Sequence, residues 1–269
     1  IALAGDLTKG FELRLQSKRS SERVRARAVI GAYGRRNRLD TQLRRPFMRA
    51  DQPYLAFKAH FAGPSVGERI ELHAFPGGYC GLSDIEDGRQ NVCMLVHRSA
   101  FAAANAGRSP SVDHLIDWIG RQNPALGERL RPAARPAARW LSIAQIPFGR
   151  KDPLAGDVLM AGDAAGVIAP LAGDGIAMGL ESGRLAGEML SGALAGRRSM
   201  DRLRRAYPAA WQRRFQRRLQ FGRILQPLLI RPAAANAAVA LIAAIPALGR
   251  FIIRNTRGTA AEPSEIASP

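Results

Sequence analysis

The chain has 269 residues, 46% of them hydrophobic, and its 40 Lys+Arg against 22 Asp+Glu give a formal net charge of +18. That is enough apolar sequence for one large domain or two ordinary ones, and it excludes disorder as the main state. Two cysteines, Cys80 and Cys93, exclude a disulfide framework; neither they nor the four histidines stand in a metal-ligand spacing, so a reducing, cytoplasmic compartment and no metal site are expected.

Residues 11–16 and 23–30 alternate apolar and polar side chains around a polar turn, which predicts a β-hairpin. Four more strand-like runs, 54–61, 69–75, 79–85 and 91–96, are separated by Gly63-Pro64, Pro76-Gly77-Gly78 and Asp87-Gly88, and predict an antiparallel meander. Residues 99–131 turn helical, and a Pro/Ala linker at 132–139 marks a change of layer. A strand at 140–148 then leads to a fully apolar strand at 158–161, a Gly-rich turn and a long helix over 176–195. Strand, glycine turn and helix are the grammar of a nucleotide-binding α/β layer. The chain starts at Ile1 rather than Met, and no signal-peptide pattern follows.

The last third differs in composition. Residues 197–223 hold ten Arg and one acid, Asp201, a net +9 and half the charge of the chain. Arg suits phosphate and carboxylate partners, so nucleic acid is one reading. Tyr207, Trp211, Phe215 and Leu219 recur every four residues, however, which predicts a helix docked through one apolar stripe with Arg over the rest. A solvated basic face is the plainest reading, an anionic membrane surface or acidic partner the next, and nucleic acid the least favoured. Residues 232–249 carry no charge but are mostly Ala with Asn236 and Pro246 inside, which fits two short helices, packed on the body or lying in a membrane interface, better than a span.

The chemistry is concentrated in residues 157–190. An apolar strand ends at Gly162-Asp163, where a carboxylate emerges at the usual ligand edge of an α/β layer. Ala164, Ala165 and Gly166 let something bulky approach the backbone. Pro170, Gly173 and Gly175 then start a helix whose free N–H groups stabilise an anion. Gly175, Gly179, Gly183 and Gly187 are spaced by four; each helical glycine costs about 1 kcal/mol relative to Ala, so the bare stripe predicts close packing against another backbone. Gly173-x-Gly175-x-x-x-Gly179 is not a Rossmann fingerprint, because Ala169-Pro170-Leu171-Ala172 separates it from the strand.

The run GDAAGVIAPLAGDGI at 162–176 resembles the second FAD-binding motif of flavoproteins of the geranylgeranyl reductase and aromatic-hydroxylase superfamily. Residues 29–37, VIGAYGRRN, are similar to that superfamily's v-I-G-A-D-G-x-x-S segment, with Tyr33 in place of Asp and Asn37 in place of Ser. His73-Ala74-Phe75-Pro76-Gly77-Gly78-Tyr79 resembles its F-P turn over the substrate pocket. The resemblance covers about residues 10–255.

It implies an α/β fold, α+β overall. Its FAD-binding Rossmann-like layer, incomplete at the amino terminus, comes from 1–45 and 148–196. An antiparallel-sheet substrate domain is inserted at 46–147, basic and apolar helices follow at 197–256, and a disordered tail occupies 257–269. FAD would be held by Gly162, Asp163, Ala164, Ala165, Pro170, Gly173, Gly175 and Ile176. Asp163 would bind the ribityl hydroxyls, the Gly173–Ile176 N–H groups would face the flavin's pyrimidine edge, and the glycine stripe would pack on the nucleotide-binding core. NAD(P)H is the electron donor implied. The superfamily's G-x-G-x-x-G unit, which cradles the FAD pyrophosphate, is absent, so a βαβ unit of ~30 residues or more is expected before Ile1.

Gly166 stands where the hydroxylases have His, which resembles the prenyl-reductase branch. The expectation is hydride transfer from reduced FAD to a double bond of a hydrophobic, prenyl-like substrate, with peripheral contact to an anionic inner membrane face. A monooxygenase acting on an aromatic or polyketide-like substrate is the alternative. A non-enzymatic Arg-rich module binding membrane or nucleic acid is the third reading. No proton donor is assigned; Tyr79, Cys80 and His73 lie near the expected pocket.

Overall fold

Residues 2–17, 19–131 and 139–256 are described by the computed structural model, in which the chain forms two units. The first comprises Ile1–Ala50, Pro147–Arg223 and Leu248–Pro269, the second Asp51–Ile146 and Ile224–Ala247. Most of the linker and all of the tail expected at 257–269 lie outside the described residues.

In the first unit, β1 (Ala2–Asp6), β2 (Gly10–Gln16) and β3 (Ser21–Ala26) form an antiparallel sheet. The expected hairpin runs from Phe11↔Ala26 to Gln16↔Ser21. Its second strand stops short of residue 30 because the next apolar pair, β4 (Ile30–Gly31), joins another sheet. There β4 pairs in parallel with β12 (Val158–Met160), whose other edge takes β11 (Leu154–Ala155). All three β12 side chains are buried, as a continuous apolar run in a parallel layer requires. A two-stranded sheet joins β10 (Gly149–Arg150) to β13 (Gly166–Val167).

Three helices frame that layer. The short α1 (Arg38–Gln42) starts in a capping box of Asn37 and Asp40. The long α5 (Gly175–Leu194) buries Met178, Ser182, Ala186 and Met189, spaced three and four apart. In α6 (Met200–Leu229) the predicted stripe is the docking face: Tyr207, Trp211 and Phe215 are fully buried and Leu219 nearly so. The helix closes the core formed by β12, α5 and the turn between them.

In the second unit, β5 (Tyr54–Ala62), β6 (Ile70–Phe75), β7 (Gly78–Ile85), β8 (Arg89–His97) and β9 (Leu141–Ala144) make one antiparallel sheet in the order β6-β7-β8-β5-β9. The sheet departs from a simple meander, because β5 lies beside β8 along its whole length, from Tyr54↔His97 to Ala62↔Arg89. Its Phe57, Phe61, Phe75, Leu82, Val92 and Met94 face α2 (Arg98–Ala104), α3 (Val112–Gln122) and α4 (Pro124–Leu130). Ser111 and Asn123 cap α3 and α4. The residues 197–256, read as one segment, are shared between the two units: α7 (Pro232–Ala244) belongs to the second and most of α8 (Pro246–Thr256) to the first. Among the described residues no single helix is long and apolar enough to cross a membrane.

Candidate functional site

The parallel pair β4 and β12 sets the VIGAYG segment beside the GDAA turn, through Leu159↔Ile30 and Met160↔Gly31. At the end of β12 the chain makes a 3-10 turn, Gly162–Ala164, with Gly162 at a φ of 58° in the left-handed region that favours glycine. The Gly162 N–H donates to Ser182 Oγ at 3.0 Å, and the same oxygen accepts the Trp211 Nε1–H at 2.9 Å. Tyr207 donates its hydroxyl to the Met160 carbonyl at 2.6 Å. The polar ends of the α6 stripe therefore fix both sides of the turn. Ala164 and Ala165 are fully buried.

The carboxylate of Asp163 is half-buried and has no hydrogen-bond partner among the described residues. Burial raises its pKa above the ordinary value, and attraction to Lys151 and Arg35 only partly offsets this. Lys151 is itself buried. Its Nζ donates to the carbonyls of Arg35 and of Asp163, the latter at 2.9 Å, and stands 4.3 Å from the centroid of the Phe47 ring. Burial pulls its pKa down to about 8, against attraction to Asp40 and Asp163.

A second buried cation supports the turn from the other side. Arg45 Nη1 donates to Asp40 Oδ1 at 2.9 Å, to the Tyr33 hydroxyl at 3.1 Å and to the Ala164 carbonyl at 2.8 Å; Nη2 reaches the Asp152 carbonyl at 2.7 Å. Tyr33 donates to Asp40 at 2.5 Å, and burial and that bond hold its pKa well above the usual tyrosine range. Tyr33 and Asn37, the two departures from the superfamily pattern, are thus spent inside the protein: one on the Asp40–Arg45 pair, the other on capping α1.

The second half of the motif is a 3-10 turn, Pro170–Ala172, closed by Gly173 at a φ of 64°, after which α5 begins. Among the described residues no side chain caps α5. Asp174, at the capping position, is drawn instead toward Arg218 Nη1 at 3.2 Å, and Arg218 also pairs with Glu181 at 2.8 Å. Among the described residues the first-turn N–H groups of α5 have no side-chain cap, beside the exposed Gly173 and Ile176, the latter 84% exposed. The exposed aliphatic surface continues to Leu180.

The glycine stripe differs from expectation. Only its start is in close contact, where the Gly179 Cα lies 3.5 Å from the place a Cβ on Gly162 would take; Cβ atoms at Gly179, Gly183 and Gly187 would meet nothing within 4 Å. Among the described residues no backbone packs on the rest. Gly166, the hydroxylase His position, is filled from α6: a Cβ there would stand 2.9 Å from the Trp211 ring. In the second unit Cys80 is fully buried on the helix-covered face of the sheet, and His73 bonds Glu71 at 3.1 Å on that same face. Tyr79 alone of the three points to the opposite face. Lys151, Arg45 and Ser182 are the supporting residues that spacing did not single out, since each lies far in sequence from the backbone group it holds. Among the described residues no cluster could hold a metal ion.

No family model matches the chain. It is 28% identical over 214 residues to the menaquinone reductase of Mycolicibacterium smegmatis, spanning 76% of this chain and 49% of that protein. It is 29% identical over 221 residues to the menaquinone reductase of Mycobacterium tuberculosis, spanning 78% of this chain and 50% of that protein. The chain thus spans about half the length of the curated relatives it matches. Among solved structures it superposes on Klebsiella pneumoniae HpxO complexed with FAD and uric acid, with a TM-score of 0.68 at 17% identity, covering 95% of this chain and 64% of that one. PqsL, a probable FAD-dependent monooxygenase from Pseudomonas aeruginosa, gives 0.66 at 20% identity over 89% of this chain and 66% of that one. The fold is that of FAD-dependent monooxygenases. Those neighbours share the mixed α/β architecture, with its antiparallel sheet and carboxyl-terminal helices, which the motifs predict.

Proposed function

We propose that the GDAA turn and the start of α5 hold FAD, and that the chain is part of a flavin-dependent oxidoreductase acting on a hydrophobic, prenyl-like substrate. The observation that carries this reading is an unpartnered, half-buried Asp163 carboxylate followed, twelve residues on at Gly175, by an uncapped helix start. A carboxylate suits the ribityl hydroxyls, and open N–H groups on a helix dipole suit the electron-rich pyrimidine edge. Left-handed Gly173, beside which a Cβ would meet nothing within 4 Å, leaves room for a flat ring to approach. Bound FAD would supply two-electron redox chemistry. The chain's own residues then have positioning roles: Lys151 and Arg45 fix the carbonyls of Asp163 and Ala164, and Ser182 fixes Gly162.

The reductase reading draws on the names of the curated relatives, since menaquinone is a quinone with a prenyl chain. The monooxygenase alternative draws on the name of a solved neighbour, a probable FAD-dependent monooxygenase, and is compatible with the same fold. NAD(P)H remains the proposed donor for either. Two measurements test the proposal. FAD titrated into the full-length protein, with its expected amino-terminal βαβ unit, is expected to bind, with affinity falling about tenfold or more in Asp163→Ala, by loss of charge-assisted hydrogen bonds. Anaerobic turnover of a prenylated quinone with NAD(P)H is expected to add two hydrogens to the prenyl chain; strict oxygen dependence and a hydroxylated product would replace the reductase with the monooxygenase. A protein that takes up no FAD and binds DNA with steep salt dependence would sink both.

A further inference from the structure

A helix that is apolar all round is normally buried. In α7 there is no charged residue, yet Ala235 is its only buried residue; Val239 is 63% exposed and Leu241 49%. Ile224 before it and Ile245 after it are exposed as well, at 64% and 50%. The whole stretch 224–247 contains one charge, the exposed Arg231 at the start of α7. An apolar surface of this kind marks a site of interaction.

The surrounding sequence says what covers it. Arg231, at the amino end of α7 and in the same unit, takes part in no ion pair among the described residues, and no acidic residue stands between 224 and 247. A second copy of the chain would bring a net charge of +18 against a chain of the same charge. A groove in another protein reads one stripe of a helix, whereas the exposed side of α7 is broadly apolar, with Asn236 its one polar side chain. Thirteen residues span about 20 Å at 1.5 Å each, short of the ~30 Å hydrocarbon core.

We propose that α7 is an interfacial anchor that lies in the surface of an anionic bilayer, with Val239, Leu241 and Ile245 entering the acyl boundary and Arg231 meeting the lipid phosphates. The inner stripe of the helix rests on its own unit while the outer side is wetted by lipid, so no hydrogen bond of its backbone is exposed to hydrocarbon unpaired. This inference stands apart from the flavin reading, because none of these residues belongs to the GDAA or α5 motif.

Co-sedimentation with vesicles tests it, using phosphatidylcholine alone and phosphatidylcholine mixed with phosphatidylglycerol. The purified chain is expected to pellet with the mixed vesicles at low salt, and less as salt rises. Val239→Asp together with Leu241→Asp is expected to weaken binding by about tenfold or more, and Arg231→Gln by about fivefold. Both positions of the Asp pair are exposed, so circular dichroism is expected to be unchanged. As an independent readout, the indole of Val239→Trp is expected to be quenched by brominated phosphatidylglycerol beyond the quenching of the wild type. Wild-type protein that stays in the supernatant with anionic vesicles, an Asp pair that pellets like wild type, or an added indole that bromine does not quench would each overturn the proposal. Dimerisation abolished by the Asp pair, without vesicle binding, would assign the surface to a second copy instead.

Discussion

Arg45 offers the sharpest test of how the candidate site is held. Its side chain is 1% exposed and that of Asp40 is 0%, so the pair is out of water. Four donor contacts of 2.7–3.1 Å join the guanidinium to Asp40, Tyr33, Ala164 and Asp152. Nε is buried without an acceptor, so the residue already carries one desolvated donor for which the other four contacts compensate. Arg45→Met keeps the length of the side chain and removes every donor. Asp40 would retain the Tyr33 hydroxyl and the Asn37 N–H at 2.7 Å, which places the cost toward the lower end of the roughly 3–5 kcal/mol for breaking a buried pair. At about 2–4 °C per kcal/mol for a chain of this size, the melting temperature is expected to fall by on the order of 10 °C, read by circular dichroism and urea titration. Asp40→Asn placed on top of Arg45→Met removes the stranded charge and is expected to return about 1–2 kcal/mol of that loss. A single variant that loses under about 1 kcal/mol, or a double variant no better than the sum of the singles, would refute the buried-pair argument.

Three further outcomes follow from neighbouring contacts. Lys151 has a folded pKa of about 8 against the ordinary 10.5, so between those values the unfolded chain holds more protons and stability rises with pH; the stability of wild type relative to Lys151→Met is expected to climb by on the order of 2–3 kcal/mol from pH 8 to 10.5, and a flat difference in urea titrations across that window would exclude a buried ammonium. Gly166→Ala is expected to cost about 1–3 kcal/mol by pressing on Trp211, with Gly166→His failing to accumulate as folded protein; wild-type melting of the His variant would show that α6 does not fill this position. Trp211→Phe removes the indole donor to Ser182 and some ring volume, with an expected loss of about 1–3 kcal/mol in urea titration, and an unchanged midpoint would mean that Ser182 is held by Gly162 alone.

The sequence reveals elements whose signal is local. The alternation at 11–16 and the four strand runs are legible because the side-chain period of two survives within each strand, and the Tyr207-Trp211-Phe215-Leu219 stripe because a four-residue spacing needs no partner to be recognised. The sheet order is not legible: nothing in residues 54–62 says that they lie beside β8 instead of β6. The motif at 162–176 marks the turn and the helix start, but its supports are remote. Lys151 and Arg45 read as surface cations in a chain rich in them, and only the fold brings them under the carbonyls of Asp163 and Ala164. The glycine stripe is the converse case: a bare helix face is written in the sequence, and among the described residues the only backbone close to it is the turn at Gly162.

The charge on α6 acquires a different meaning from these contacts. Arg204 pairs with Asp157, Arg214 with Glu181, and Arg218 with both Glu181 and Asp174, so part of the basic face is turned inward onto carboxylates of its own unit. Burial alone would raise the pKa of Glu181, and the two guanidiniums outweigh it and hold it below the ordinary value. For Asp174 the effect is positional. A carboxylate at that position is well suited to cap the N–H groups of the first turn of α5; paired with Arg218, it does not. Arg218, ten-percent exposed and 5.6 Å from the centroid of the Phe215 ring, is fixed by the same aromatic stripe that docks the helix. The stripe thus closes the core and, through Arg218, draws the Asp174 side chain away from capping the first turn of α5.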